Sequence, residues 1–283
     1  MPKKTRWNIW VYDWVKERAM RIISKYPVPK TDGEFISHII GQIPETPPDP
    51  FIPLSFAKLP GDFEEFLQKI VYYIQQEQMS RLKSRAPNEV WVSELVVCPA
   101  KREMALKYPQ YAQIPQPRTL LGLLVHLGVR FFAKAAGYEY EVPVQTHVEV
   151  GGVRYTVTGR ADVFDPARKI VWDVKSGRSV YDPPSPHHAL QVYIYQKLLK
   201  ANEGRVLYLT GDRFCEVKIA EGHVVRALQQ AHINDVDYRD VDELLRHLIV
   251  IHIKKLLTPL WPWECDYCNF KVVCPYYVKP SRR

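Results

Sequence analysis

The period of the apolar positions changes near residue 90 and divides the sequence in two. Before it, Trp7, Trp10 and Trp14, with Val11 and Val15, recur at the spacing of one helix face and predict a helix over 7–25 whose apolar stripe needs a partner. Pro27, Pro29, Pro44, Pro47, Pro48, Pro50, Pro53 and Pro60 then rule out regular helix or central strand across 27–60. Asp62 is placed to cap a second helix, 62–85, which ends in the basic cluster Arg81, Lys83 and Arg85. From residue 90 onward strand and helix patterns alternate, the mark of an α/β core. An apolar helix over 119–136 carries His126. Strands follow at 139–150, 153–164 and 169–175, with Gly151-Gly152 and Asp165-Pro166 as the turns between them, so a three-stranded antiparallel meander is expected. A helix near 188–201, strands near 205–219, two helices across 222–257 and a tail rich in Pro, Trp and Cys complete the pattern. The expected organisation is a helical and proline-rich N-terminal extension, 1–88, and an α/β domain, 89–283.

Composition narrows the class without fixing the chemistry. The 283 residues are 46% hydrophobic and 25% charged, a balance that supports a full core and excludes a disordered or fibrous chain. A formal net charge of +8 and a pI near 9.1 favour polyanions at the surface, in agreement with nucleic acid as a partner. No apolar run is long enough to span a bilayer, and the Met-Pro-Lys-Lys start leads into the Trp-rich stretch and not into an apolar signal segment. The expectation is a cytoplasmic protein with no membrane partner. In that reducing compartment the five cysteines are better explained by metal or cluster ligation than by disulfides.

The segment Gly159-Arg160-Ala161-Asp162, a turn, and then Asp173-Val174-Lys175 put two acids and a lysine on successive strands. Residues two apart in a strand share a face, so Asp173 and Lys175 project together, and a hairpin around Asp165-Pro166 brings Asp162 towards Asp173. Converging carboxylates repel one another, and a divalent cation resolves the repulsion; oxygen donors of this kind suit Mg²⁺ or Mn²⁺. The ammonium of Lys175 beside such an ion is suited to orienting water and stabilising charge on a phosphate. Upstream, His126 is a lone imidazole on an apolar helix. Downstream, Gln191 and Tyr195 are four apart and share a helix face. Each pattern alone is as readily a solvated edge pair, a core histidine or a packed helix.

Taken in order, these residues resemble the RecB-like nucleases of the PD-(D/E)xK superfamily, whose pattern is a helix histidine, Gly-x-x-Asp, Asp/Glu-x-Lys and Gln-x-x-x-Tyr. The resemblance implies a restriction-endonuclease-like α/β fold, a mixed central sheet flanked by helices. It implies His126, Asp162 and Asp173 as metal ligands, Lys175 as the catalytic lysine beside the two acids, and Gln191 and Tyr195 as supports of the site or DNA contacts.

Cys265, Cys268 and Cys274 form C-x₂-C-x₅-C near the end of the sequence, while Cys98 stands alone before the core. Zinc sites more often show two tight pairs. Proline follows Cys98 and Cys274, as it follows cluster-ligating cysteines in ferredoxins. One cysteine before the core and three after it resembles the iron-sulfur RecB-like nucleases, a group that includes the CRISPR-associated Cas-four exonucleases. The likeness covers about residues 90–280 and includes Val92-Ser-Glu-Leu ahead of Cys98-Pro99. It implies a 4Fe-4S cluster held by these four cysteines in a C-terminal iron-sulfur segment. By analogy with a disulfide, a staple closing so long a loop is worth roughly 5 kcal/mol. Cys215 has no place in the pattern and is expected to be an ordinary buried thiol.

The implied activity is a metal-dependent exonuclease on single-stranded DNA or DNA ends. Its expected role is processing spacer precursors in CRISPR adaptation, with DNA and CRISPR integrase proteins as partners. The sequence holds no P-loop, so a RecB-like repair or replication nuclease would need a separate helicase; a non-catalytic DNA-binding assembly subunit is the other alternative. Lys101 and Arg102 are candidate phosphate contacts. The N-terminal extension lies outside the shared pattern and reads as a lid, a docking surface or extra core, the Trp stripe favouring extra core.

Overall fold

Long alternating strands need a partner on each edge, and the α/β part of the chain supplies them in a mixed sheet. In this computed structural model the described residues are 69, 70, 72, 73, 76, 79, 80, 82–112, 117–177, 182–211 and 213–279. The predicted helix over 7–25, the proline-rich stretch and much of the 62–85 helix lie outside them. The elements lie within the unit Val71–Arg283. They run β1 (Glu89–Trp91), α1 (Val92–Leu95), α2 (Lys101–Lys107), α3 (Pro109–Ala112), α4 (Pro117–Ala135), β2 (Glu139–Val150), β3 (Val153–Asp165) and β4 (Ile170–Gly177). Then follow α5 (Pro186–Leu198), β5 (Glu203–Thr210), β6 (Phe214–Lys218), α6 (Glu221–Gln230), α7 (Val241–Lys254) and a 3₁₀ turn at Glu264–Tyr267.

The expected antiparallel meander is present as β2-β3-β4. Beyond it, α5 carries the chain back so that β5 lies parallel to β4, and β6 closes that edge antiparallel to β5. β2 runs along almost the whole of one edge of β3. The other edge is shared: β1 pairs in parallel with Thr156–Thr158, and β4 pairs with Val163–Asp165. Residues 159–162, the Gly-x-x-Asp segment, therefore lie at a fork where one ladder has ended and the next has not begun. Strand partings of this kind leave room for a ligand that a continuous ladder would fill.

α5 is buried on every side from Ala189 to Tyr195, the state of a helix sandwiched between layers and not of one resting on a surface. Pro186 begins it, where a missing N–H costs nothing. The core joins this helix to Val157, Ala161, Val171 and Val206 of the sheet and to Leu244, Leu245, Leu248 and Ile249 of α7. Asp240 caps α7 by accepting from the N–H groups of Asp242 and Glu243. Among the described residues no helix is long and apolar enough to cross a membrane.

The tail folds back onto the beginning of the domain. Trp261 is fully buried and its indole N–H donates to the Val96 carbonyl at 2.8 Å. Glu264, 3% exposed, accepts from the N–H of Cys98 at 2.8 Å and from that of Trp261 at 3.1 Å. Truncating Trp261 removes both a large packed volume and this clasp. Trp261→Ala is expected to cost about 3–5 kcal/mol, measured as a fall in the urea midpoint with unchanged slope.

Candidate active site

The fork in β3 is where the predicted catalytic side chains meet. In the antiparallel register Val163 faces Trp172, which sets Asp162 next to Asp173 where the backbone ladder ends. A side chain replaces the missing ladder bond: the N–H of Val174 donates to Asp162 Oδ2 at 2.6 Å. The other oxygen, Oδ1, lies 3.4 Å from His126 Nδ1. His126 comes from α4, which passes close to β4 one turn earlier, where a Cβ on Gly122 would stand 3.0 Å from Ser176 Oγ. The hydrogen bond to Asp162 raises the pKa of His126 above its ordinary value, although partial burial opposes the shift.

Asp173 is 2% exposed, and Lys175 and Gln191 surround it. Lys175 Nζ lies 2.7 Å from Asp173 Oδ2 and donates to Gln191 Oε1 at 3.1 Å. Gln191 Nε2 donates to Asp173 Oδ1 at 3.3 Å and to the Tyr195 hydroxyl at 3.4 Å. Burial raises the Asp173 carboxyl above the usual carboxylate range. The Asp162 charge adds to that rise and the Lys175 ammonium restrains it. The Lys175 ammonium is the partner of Asp173 Oδ2, and an ionised carboxylate oxygen has a second lone pair that a cation could take. Imidazole and carboxylate donors suit Mn²⁺, and the carboxylates suit Mg²⁺. Among the described residues no three His, Cys, Asp or Glu side chains are drawn in to metal-binding positions. Instead, Lys175 neutralises Asp173, and the Val174 amide occupies Asp162.

Tyr195 lies beneath the fork. A Cβ on Gly159 would approach its Cε1 to 2.8 Å and its hydroxyl to 3.2 Å, so the first residue of Gly-x-x-Asp is bare to let the tyrosine through. Burial and the Asp173 charge raise the phenol above its ordinary pKa and keep it neutral.

Several neighbours carry no clear signature in the sequence. Tyr208 of β5 is opposite Lys175 in the parallel register; its hydroxyl accepts from Ser185 N at 2.9 Å and lies 3.1 Å from His188 Nδ1. His187 packs 3.9 Å from His188 and 4.9 Å from Trp263. Burial, and then the charges of Lys175 and Lys101, push His187 down to about 3; burial likewise holds His188 well below its ordinary value. Both rings are neutral at pH 7. Their spacing of four and three residues from Gln191 on one helix was the available signal. On the other side of the fork, Glu141 is shared by Arg130 of α4 at 2.5 Å and Arg160 of β3 at 3.2 Å, and it holds a left-handed φ of 47°.

The clasp ties the N–H of Cys98 to Glu264, the residue before Cys265. Burial pushes the Cys98 thiol up to about 12, and the charge of Cys268 acts in the same direction; Cys274 is raised by burial and by Cys268 and Cys265. Such thiols become ligands only when a metal displaces their protons. Cys215 is half-buried on β6 and packs against the core, less enclosed than expected. Lys101 pairs with Glu264 at 3.7 Å, and Arg102 is occupied with the Glu89 and Ala86 carbonyls. Arg102 is therefore a structural clamp in this fold and not an exposed phosphate contact.

Comparison with known proteins agrees with this arrangement. Residues 65–275 match the model of the PD-(D/E)XK nuclease superfamily. The chain is 32% identical over 206 residues to the CRISPR-associated exonuclease Cas4 of Saccharolobus solfataricus, covering 71% of this chain and 93% of that one. It is also similar to the crystal structure of SSO0001, with a TM-score of 0.61 and 29% identity over 74% of this chain and 98% of the other.

The close approach at Gly159 leads to a direct test of the packing beneath the fork. Gly159→Ala is expected to displace Tyr195 and destabilise the fold by about 1–3 kcal/mol, read by denaturant unfolding. A second substitution, Tyr195→Phe, removes only the hydroxyl contact and should recover part of that loss.

Proposed function

The chain belongs to the PD-(D/E)XK nuclease superfamily and, within it, to the Cas4 family, and we propose that it is a divalent-metal-dependent deoxyribonuclease acting on single strands or DNA ends. The observation that carries this reading is the intact network of His126, Asp162, Asp173, Lys175 and Gln191 at the fork in the sheet. His126, Asp162 and Asp173 would hold Mg²⁺ or Mn²⁺, the cation meeting the carboxylate charge that Lys175 meets in its absence. The bound ion would supply Lewis-acid polarisation of the scissile phosphate and a more acidic water.

The protein's own contribution is placement. Gln191 accepts from Lys175 independently of the ion pair with Asp173, so the ammonium stays at the site when the carboxylate turns to other ligands. There it is positioned to orient the attacking water and to offset charge developing on the phosphate oxygens. The neutral Tyr195 hydroxyl accepts from Gln191 and holds it in turn. The complete set of acids and lysine disfavours a non-catalytic assembly subunit.

We assign Cys98, Cys265, Cys268 and Cys274 to a 4Fe-4S cluster; the bond that ties Cys98 to Glu264, the neighbour of Cys265, supports this. The role of the cluster would be that of a staple between the two ends of the domain. The CRISPR-associated name of the Cas4 relative supports a role in processing spacer precursors for CRISPR adaptation, with integrase proteins as partners.

Asp173→Ala and Lys175→Ala are each expected to abolish Mg²⁺- or Mn²⁺-dependent cleavage of single-stranded and duplex DNA ends while leaving circular dichroism unchanged; wild-type cleavage by either variant refutes the site. Anaerobic purification should yield a brown protein with broad visible absorption, and Cys98→Ala should lose the colour and unfold at lower temperature. A colourless wild-type protein with stoichiometric zinc and no iron would exclude the cluster.

A further inference from the structure

Beside the fork, the sheet bears a groove of about 590 Å³ that the proposed chemistry does not use, lined by Glu89, Trp91, Val144, Gln145, Thr158 and Arg160 among others. Its walls are set by register: Trp91 of β1 and Gln145 of β2 both lie opposite Thr158, and Arg160 is one step nearer Asp162 on the same face of β3. Two strand residues advance the chain by about 7 Å, so the groove begins a nucleotide's length from the proposed scissile site. α4 joins the two places, because His126 and Arg130 lie four apart on one helix face and contact Asp162 and Glu141 respectively.

The chemistry of the lining is specific. Arg85, held by Glu94 at 2.5 Å, stacks its guanidinium 4.3 Å from the Trp91 ring centroid and fixes the indole in place. Arg160 approaches the same ring at 5.8 Å. Glu141 is a single carboxylate shared by Arg130 and Arg160; with Glu89 in the lining the local charges balance, and the forked Arg160 guanidinium, at 3.2 Å from Glu141, has further N–H donors for a phosphate. Glu89, hydrogen-bonded to Thr158 at 3.1 Å, and the exposed amide of Gln145 offer acceptors and donors to a base edge. The volume is that of a small-molecule site, room for one nucleotide and not for a duplex.

We propose that this groove is a subsite for an unpaired nucleotide of the DNA strand being cut, with Trp91 as the stacking platform for its base and Arg160 facing its phosphate. The inference rests on the nuclease reading and adds the residues that select an unstacked base next to the reacting phosphate. Stacking on an aromatic ring is tolerant of sequence, so the subsite recognises strandedness and not a base identity.

The test is binding of a fluorescein-labelled single-stranded oligothymidylate to the full chain with Ca²⁺ in place of Mg²⁺, followed by anisotropy. A single abasic nucleotide is stepped along the probe. Trp91→Ala is expected to weaken binding about tenfold and Trp91→Phe to restore most of it, with blunt duplex binding unchanged. One abasic position should cost the wild-type chain a similar factor and cost Trp91→Ala nothing. Equal binding by Trp91→Ala and wild type, or an undiminished abasic penalty in Trp91→Ala, overturns the subsite alone. If Trp91→Ala does not fold, the comparison of wild type with Trp91→Phe and Gln145→Ala on the abasic series decides the point: no abasic-sensitive position in wild type overturns the proposal. Absence of any DNA binding by the wild-type chain defeats the nuclease reading together with it.

Discussion

A carboxylate buried in the middle of a sheet is costly unless its charge is met, and Asp173 imposes that constraint on everything around it. Lys175, two residues on, answers the charge, and Gln191 answers both residues at once. Gln191 can do so only because α5 lies directly on β4, buried on every side from Ala189 to Tyr195. The parallel pairing of β4 with β5 follows, since α5 is the crossover between them. The polar network and the hydrophobic architecture thus depend on the same helix.

The fork in β3 is the second half of that arrangement. Where β1 and β4 leave the strand unpaired, an aspartate side chain takes over a backbone hydrogen bond, and a histidine from α4 approaches from outside. The clasp of Trp261 and Glu264 onto Val96 and Cys98 fixes the end of the short α1 turn that follows β1. One boundary of the fork is therefore held in place by residues at the far end of the domain.

Much of this was legible in the sequence, for reasons that differ by element. The strands predicted at 139–150, 153–164 and 169–175 match β2, β3 and β4 closely because half-buried antiparallel strands alternate and Gly151-Gly152 and Asp165-Pro166 mark their turns. β1 is three residues long, too short for any period to show. α5 has no exposed face between Ala189 and Tyr195, so its start at Pro186 was not visible from periodicity. The residues around Asp162, Asp173 and Lys175 were recognisable from their order, which a fold preserves even when each pattern alone is common. Glu141 with Arg130 and Arg160 was not, because the triad depends on how α4 crosses two strands. Arg102 looked like a surface cation, since backbone carbonyl acceptors leave no trace in a side-chain pattern.

The tail clasp also has a consequence in time. The hydrogen bonds from Trp261 to Val96 and from Cys98 to Glu264 link positions 165 and 166 residues apart, and closing a loop of that length is among the slowest contacts a domain can make. During synthesis the sheet can assemble in order from β2 to β6, but the start of the domain is secured only after its last segment has emerged. The segment that completes the fold also carries Cys265, Cys268 and Cys274, so maturation of the domain waits until that segment has been synthesised.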